Sequence, residues 1–241
     1  MKATKLDIDE AIRRNVDLIG VDIILEGGQL LINGEDSSNP EEKLSIDDIL
    51  TNTDFQSSNI LLAVEIKEDD TAHTDLDDPE ALAENLLTKL VEHTVFMTHG
   101  RPVLFRTFVD NPDDRMPYLS KIHEMLLRKY PMLEPHARFS ATFFNFWEDP
   151  KVSKVKDLKA KYSFLDMIEI YYDTPTTYSD DFKIKKFINV VHKQDIAVAL
   201  CYVPTSGWDP DQIQNADLLI MDLDENVDNV TPLRAAISSS D

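Results

Sequence analysis

The stretch that decides the fold is Asn59–Lys67 (NILLAVEIK), an apolar run that ends in a carboxylate and an ammonium group two positions apart. Successive side chains of a strand point to opposite faces, so Glu65 and Lys67 share one face with Leu61 and Ala63. Moving such a charged pair out of water is costly, and proteins usually keep one for binding or chemistry. We therefore expect a functional site at the end of this strand.

Runs of β-branched and aromatic residues recur along the chain, with helix-like segments between them. The predicted strands are Leu18–Leu25, Asn59–Lys67, Pro102–Asp110, Arg138–Phe146, Met167–Asp173, Ile196–Val203 and Leu218–Leu223. Alternation of strands and helices implies right-handed crossovers and a parallel sheet. The sequence thus predicts an α/β fold, either a barrel or a doubly wound sheet.

The predicted helices begin at recognisable caps. An acidic or hydroxyl side chain precedes a proline at Asp78-Pro79, Asp149-Pro150 and Thr231-Pro232, and Asp7 with Glu10 resembles a capping box. The helices that we expect are Ile8–Arg14, Ser45–Leu50, Pro79–His93, Tyr118–Tyr130, Pro150–Lys161, Asp180–Gln194, a short one near Pro210–Gln214, and Pro232–Ser238.

The glycine pair Gly27-Gly28 reads as a turn between Leu18–Leu25 and the short apolar run Gln29–Ile32. These two pieces predict a small hairpin. No linker or composition break divides the chain, so residues 1–241 are expected to form a single domain. As a TIM-type (β/α) barrel it has about seven parallel strands, one short of the usual eight, and the missing first strand would precede Met1.

The charge of the chain limits its partners. Asp and Glu number 45 against 24 Lys and Arg, a net charge of −21, which argues against nucleic acid or anionic membranes as partners. Basic proteins remain possible partners. No apolar stretch reaches the ~20 residues of a membrane span.

The location of the protein is predicted from its first residues. The opening MKATKLDIDEAIRRN lacks the pattern of a secretory signal, which favours an intracellular, cytoplasmic location, with an extracellular one as the alternative if a signal segment was removed. The single Cys201 lies in an apolar run and is interpreted as a small buried hydrophobe.

Active sites of parallel barrels lie at the carboxyl ends of the strands, where this chain places a ring of polar and charged residues. Candidate ring members are Asp22, Glu65, Lys67, Arg106, Asn145, Glu169 and Tyr171, and Trp147 and Trp208 lie just beyond strand ends, where they would wall a pocket. The alternatives are that strand-end charges exit to solvent and that the tryptophans fill the core.

Histidine positions argue against an ordinary hydrolase. His93, His123 and His192 fall within predicted helices, while His99 and His136 precede strands. His73 alone follows a strand end, which makes it the one candidate acid or base. It lies in the acidic stretch Glu65–Glu84, which is interpreted as a solvated loop, with hard-cation ligation as the alternative.

Several stretches together resemble a known family. IDEAIRRNVDLIGVDIIL (8–25), GGQLLINGED (27–36), LSIDDIL (44–50), NILLAVEIK (59–67) and ADLLIMDLD (216–224) are similar to the barrel of the glycerophosphodiester phosphodiesterases and related phospholipase-like phosphodiesterases. RPVLFRTFVDNP (101–112), LLRKYP (126–131) and FSATFF (139–144) resemble the menorin family within that superfamily.

The resemblance implies a site with two catalytic histidines, a divalent cation such as Mg²⁺ or Ca²⁺ and a lysine that contacts phosphate. Asp22 matches the second carboxylate of a Glu-x-Asp strand, Glu65 the later acidic ligand and Lys67 the lysine. Gly20 stands where the first carboxylate is expected.

Two further elements of the family pattern are missing. Gly34-Glu35-Asp36 replaces an expected His-Asp, and the first strand with its histidine is absent. Glu35, Asp36 or His73 would compensate only with an altered loop.

Three functions follow as hypotheses. The first is a degenerate barrel that has lost catalysis, a pseudoenzyme acting as a binding or structural module for a protein partner. The second is an active metal-dependent phosphodiesterase acting on glycerophosphodiesters or phospholipid-like substrates. The third is a small-anion binder, in which Lys67 and Arg106 hold a phosphate ester, with internal ion pairs as the competing explanation.

Overall fold

The computed structural model describes residues 5–14, 16–26, 28–32, 44–67, 78–93, 101–109, 116–143, 152–172, 184–201, 203 and 213–220. The strands are β1 (Leu18–Glu26), β2 (Gln29–Ile32), β3 (Leu61–Lys67), β4 (Val103–Val109), β5 (Ala137–Phe143), β6 (Met167–Tyr171), β7 (Ala197–Cys201) and β8 (Leu218–Ile220). The helices are α1 (Lys5–Arg13), α2 (Ile46–Leu50), α3 (Thr53–Ser57), α4 (Pro79–Glu92), α5 (Pro117–Arg128), α6 (Val152–Lys161) and α7 (Ile184–His192), with a 3-10 turn at Glu134–His136.

The chain divides into two compact units. The first comprises residues 1–107 and 115–138, and the second residues 108–114 and 139–241. The first unit orders its strands β2-β1-β3-β4, and the second orders them β5-β6-β7-β8. Because neither row of described strands closes on itself, the structure shows an α/β fold with mostly parallel strands and does not show a closed TIM-type barrel.

Strand pairing follows the predicted pattern. β1 runs parallel to β3, with Gly20 opposite Ala63 and Asp22 opposite Glu65. In the second unit β6 runs parallel to both β5 and β7, and β8 is parallel to β7. The predicted hairpin is confirmed, because β1 and β2 pair in antiparallel fashion and Gly28 adopts a φ of +79°, which glycine adopts without strain.

The first unit buries one face of each long helix. α4 packs against α5, and the buried residues recur at helical spacing: Leu82, Leu86 and Leu90 on α4, and Leu119, Ile122 and Leu126 on α5. Burying each such side chain stabilises the fold by about 1.5–3 kcal/mol relative to leaving it exposed. The apolar periodicity in the sequence therefore provides the buried faces of these two packed helices.

Two helix starts have well-formed caps. The Asp78 carboxylate accepts hydrogen bonds from the backbone N–H groups of Glu80 (2.9 Å) and Ala81 (3.1 Å), as its position before Pro79 predicts. Ser45 and Asp48 form a reciprocal capping box at α2. The proposed Asp7 and Glu10 box is wrong, because α1 begins at Lys5 and Asp7 lies inside it.

Some predicted elements differ from the observed ones. The sequence missed α3, which Asn52 caps through its side-chain oxygen, and the short turn Glu134–His136. The proposed helices Pro210–Gln214, of which only the last two residues are described, and Pro232–Ser238 lie outside the described residues, as do the caps at residues 149–150 and 231–232. The single-domain organisation stays a prediction.

Candidate functional site

The strand ends of the first unit bring two carboxylates side by side. Asp22 and Glu65 are paired in the register of β1 and β3, and parity places their side chains on the same face of the sheet. Neighbouring strands lie about 4.8 Å apart, so these two carboxylates emerge next to each other. The register therefore places Asp22 beside Glu65, and their role as metal ligands stays a prediction.

Arg106 reaches this pair from β4. Its Nη1 atom lies 3.2 Å from Oε2 of Glu65, and the side chains of Arg106 and Glu65 are 10% and 19% exposed. A nearly buried guanidinium and carboxylate stabilise each other only when they stay paired, since either charge left alone would be costly to desolvate. The ion-pair explanation for Arg106 therefore has direct support.

Gly20 leaves room for the guanidinium group of Arg106. An ideal Cβ placed on Gly20 would lie 3.5 Å from Nη1 of Arg106, so the guanidinium lies over the bare backbone of β1. Opposite Gly20 in the register is Ala63, which is fully buried. A long side chain at position 20 would compete for the space that Arg106 occupies.

A second polar cluster lies within the second unit, around the fully buried Glu169. Its carboxylate accepts hydrogen bonds from Ser140 Oγ (2.6 Å), Thr142 Oγ1 (2.9 Å) and Cys201 Sγ (3.3 Å). The donors come from β5 and β7, the two neighbours of the strand that carries Glu169. These contacts form a cross-strand hydrogen-bond network, and the pocket-lining role of Glu169 stays a prediction.

The sequence did not identify Ser140, Thr142 or Cys201 as members of this network. Ser140 and Thr142 alternate along a predicted strand, the spacing that puts both hydroxyls on one face, and this pattern could have identified them. Cys201 was interpreted as a small buried hydrophobe, and it is buried, with its thiol directed at Glu169. The role of Gly20 in accommodating Arg106 required the tertiary structure.

Other predicted site residues cannot be placed. Glu35, Asp36, His73, Asn145, Trp147 and Trp208 lie outside the described residues. Lys67 and Tyr171 end β3 and β6, and the structure describes their backbone alone.

His123 and His192 lie on helices and His136 precedes a strand, as predicted, whereas His93 directly follows its helix. His93 follows α4 and lies 3.1 Å from Oδ1 of Asp47, and His192 ends α7 and lies 2.8 Å from Oδ2 of Asp217. That same Asp217 oxygen accepts a hydrogen bond from the backbone N–H of Val198, so this contact joins α7 to the beginning of β7.

A buried arginine of the first unit serves the fold. Arg101 donates to the backbone carbonyls of Phe55, Gln56, Ser58 and Ile60, at 2.8 to 3.2 Å, and its guanidinium lies 5.5 Å from the centre of the Phe55 ring. Burial lowers the pKa of Arg101. Arg101 also lines a small pocket with Leu90, Phe105 and Leu133, and no predicted site residue borders it.

Within the described ranges, no group of three or more His, Cys, Asp or Glu side chains is arranged to hold a metal ion. None of the helices described is long and apolar enough to cross a membrane. No protein-family model matches the chain, and no curated protein matches it either.

Proposed function

We propose that this chain is a degenerate, non-catalytic relative of the glycerophosphodiester phosphodiesterases that acts as a binding or structural module for a protein partner. The observation that carries the proposal is the pairing of Glu65 with Arg106 beside Gly20. The finer fold that goes with it is a TIM-type barrel without the usual first strand. Parallel pairing in both units and the alternation of strands with helices support that fold.

Arg106 takes over the electrostatic role that a divalent cation would have beside these carboxylates. Two like unit charges 4 Å apart repel by about 4 kcal/mol at an effective dielectric constant of 20, and a divalent ion doubles that energy. A metal ion bound to Glu65 would therefore have to displace the guanidinium or bear this repulsion. The internal cation stabilises the two remaining carboxylates without any metal.

The same geometry weakens the anion-binder hypothesis. A guanidinium that binds a phosphate ester needs free donor edges and a local excess of positive charge. Arg106 is directed at Glu65, and Asp22 emerges beside that carboxylate. An incoming phosphate would meet two negative charges together with the one positive charge.

Within the part of the chain that the structure describes, the positions of His93 and His192 support the loss of catalysis. General acid or base catalysis contributes roughly 10²–10⁴-fold to a rate, and His is the side chain most often used. His93 and His192 are engaged with Asp47 and Asp217 at helix ends. The proposal also places the chain in the cytoplasm, where its single buried thiol stays reduced.

Calorimetry and a hydrolysis assay test the proposal. The full chain is titrated with Mg²⁺, Ca²⁺, inorganic phosphate and glycerol phosphate, and is then incubated with glycerophosphodiesters and each metal. We expect no saturable binding of these ions at millimolar concentration and no metal-dependent turnover. Turnover that the Glu65→Ala variant abolishes would establish the active phosphodiesterase, and phosphate binding lost in Arg106→Met would establish the anion binder.

A further inference from the structure

We draw no further inference here: the strongest candidate, the apolar surface at the carboxyl end of α5 in the first unit, where the side chains of Leu127 and Met132 are exposed, carries nothing because nothing in the structure shows what covers it.

Discussion

The guanidinium of Arg106 lies over Gly20, with Nη1 3.5 Å from the position that a Cβ on that glycine would take. From there it reaches Glu65 at 3.2 Å, on the strand next to the one that carries Gly20. A residue without a side chain thus admits a cation beside two adjacent carboxylates, Asp22 and Glu65.

Removing the charge of Arg106 should destabilise the fold. Arg106→Met leaves the Glu65 carboxylate in a largely buried place without its cation, and breaking a buried pair on one side costs about 3 kcal/mol or more. Urea denaturation measures the change in the free energy of unfolding. Adding Glu65→Gln should recover part of the loss, because position 65 then no longer carries a largely buried charge without its cation.

The matched control for that experiment is Arg128→Met. Arg128 pairs with Glu124 at 2.6 Å, but its side chain is 78% exposed. Exposed pairs contribute about 0–1 kcal/mol, so this variant should unfold almost like the native protein. Equal effects of the two substitutions would contradict a special role for Arg106.

The loss of stability on substituting Gly20 should rise steeply with the size of the new side chain. Gly20→Ala adds a Cβ at ordinary van der Waals distance from Arg106, so we expect its stability to stay within about 1 kcal/mol of the native value. Gly20→Leu fills the space of the guanidinium and should cost about 1–3 kcal/mol through overpacking. If the two variants unfold at the same temperature, Gly20 does not serve to accommodate Arg106.

Removing the carboxylate of Glu169 should destabilise the fold, because this group accepts the hydrogen bonds of the network. Glu169→Leu leaves the hydroxyls of Ser140 and Thr142 and the thiol of Cys201 without it, and each buried polar group that loses its partner costs about 1–3 kcal/mol. Glu169→Gln keeps one acceptor oxygen and should cost less. Chemical denaturation ranks the variants, and a Leu variant as stable as the native chain would argue against the network.

Asp47 should stabilise the fold at neutral pH and lose this effect at acidic pH. Partial burial raises the pKa of Asp47, but hydrogen bonds from Lys89 and His93 outweigh it and hold the pKa below the ordinary 3.8. A lowered pKa in the folded state means that the stabilisation is complete above about pH 4 and disappears as the pH falls through the folded-state value. Asp47 links α2 to the end of α4 through these contacts.

The measurement compares Asp47→Asn with the native chain in urea between pH 7 and pH 2. The difference in stability should be constant from pH 7 to about pH 5 and should shrink below pH 4, where the native carboxylate becomes protonated. Asp54→Asn, at an exposed position on α3, provides the control and should show a smaller difference at every pH. A stability difference between the native chain and Asp47→Asn that grows as the pH falls would contradict this explanation.

Strand positions were well predicted because they depend on local pattern. Asn59–Lys67 differs from the observed Leu61–Lys67 by two residues, and Met167–Asp173 contains the observed Met167–Tyr171. The β-branched and apolar runs that identify these strands act over a few neighbouring residues. Helix α3 was missed because five residues between two polar caps contain too little periodicity to be recognised.

The site was only partly predictable. Parity along one strand places Glu65 and Lys67 on one face, and it places Glu169 together with Tyr171. Parity along one strand does not give the register between neighbouring strands. That register pairs Asp22 with Glu65 and Thr142 with Glu169. Because each such pairing joins residues far apart in the sequence, no local pattern contains it.

The sequence by itself determined the α/β class, the order of the strands, the hairpin at Gly28 and the helix cap at Asp78, since each depends on the chemistry of adjacent residues. Only the tertiary structure decided that Arg106 pairs with Glu65 over Gly20, because that contact unites β1, β3 and β4. The energy of a charged group depends on which groups surround it after folding, and that environment is set by packing between distant segments.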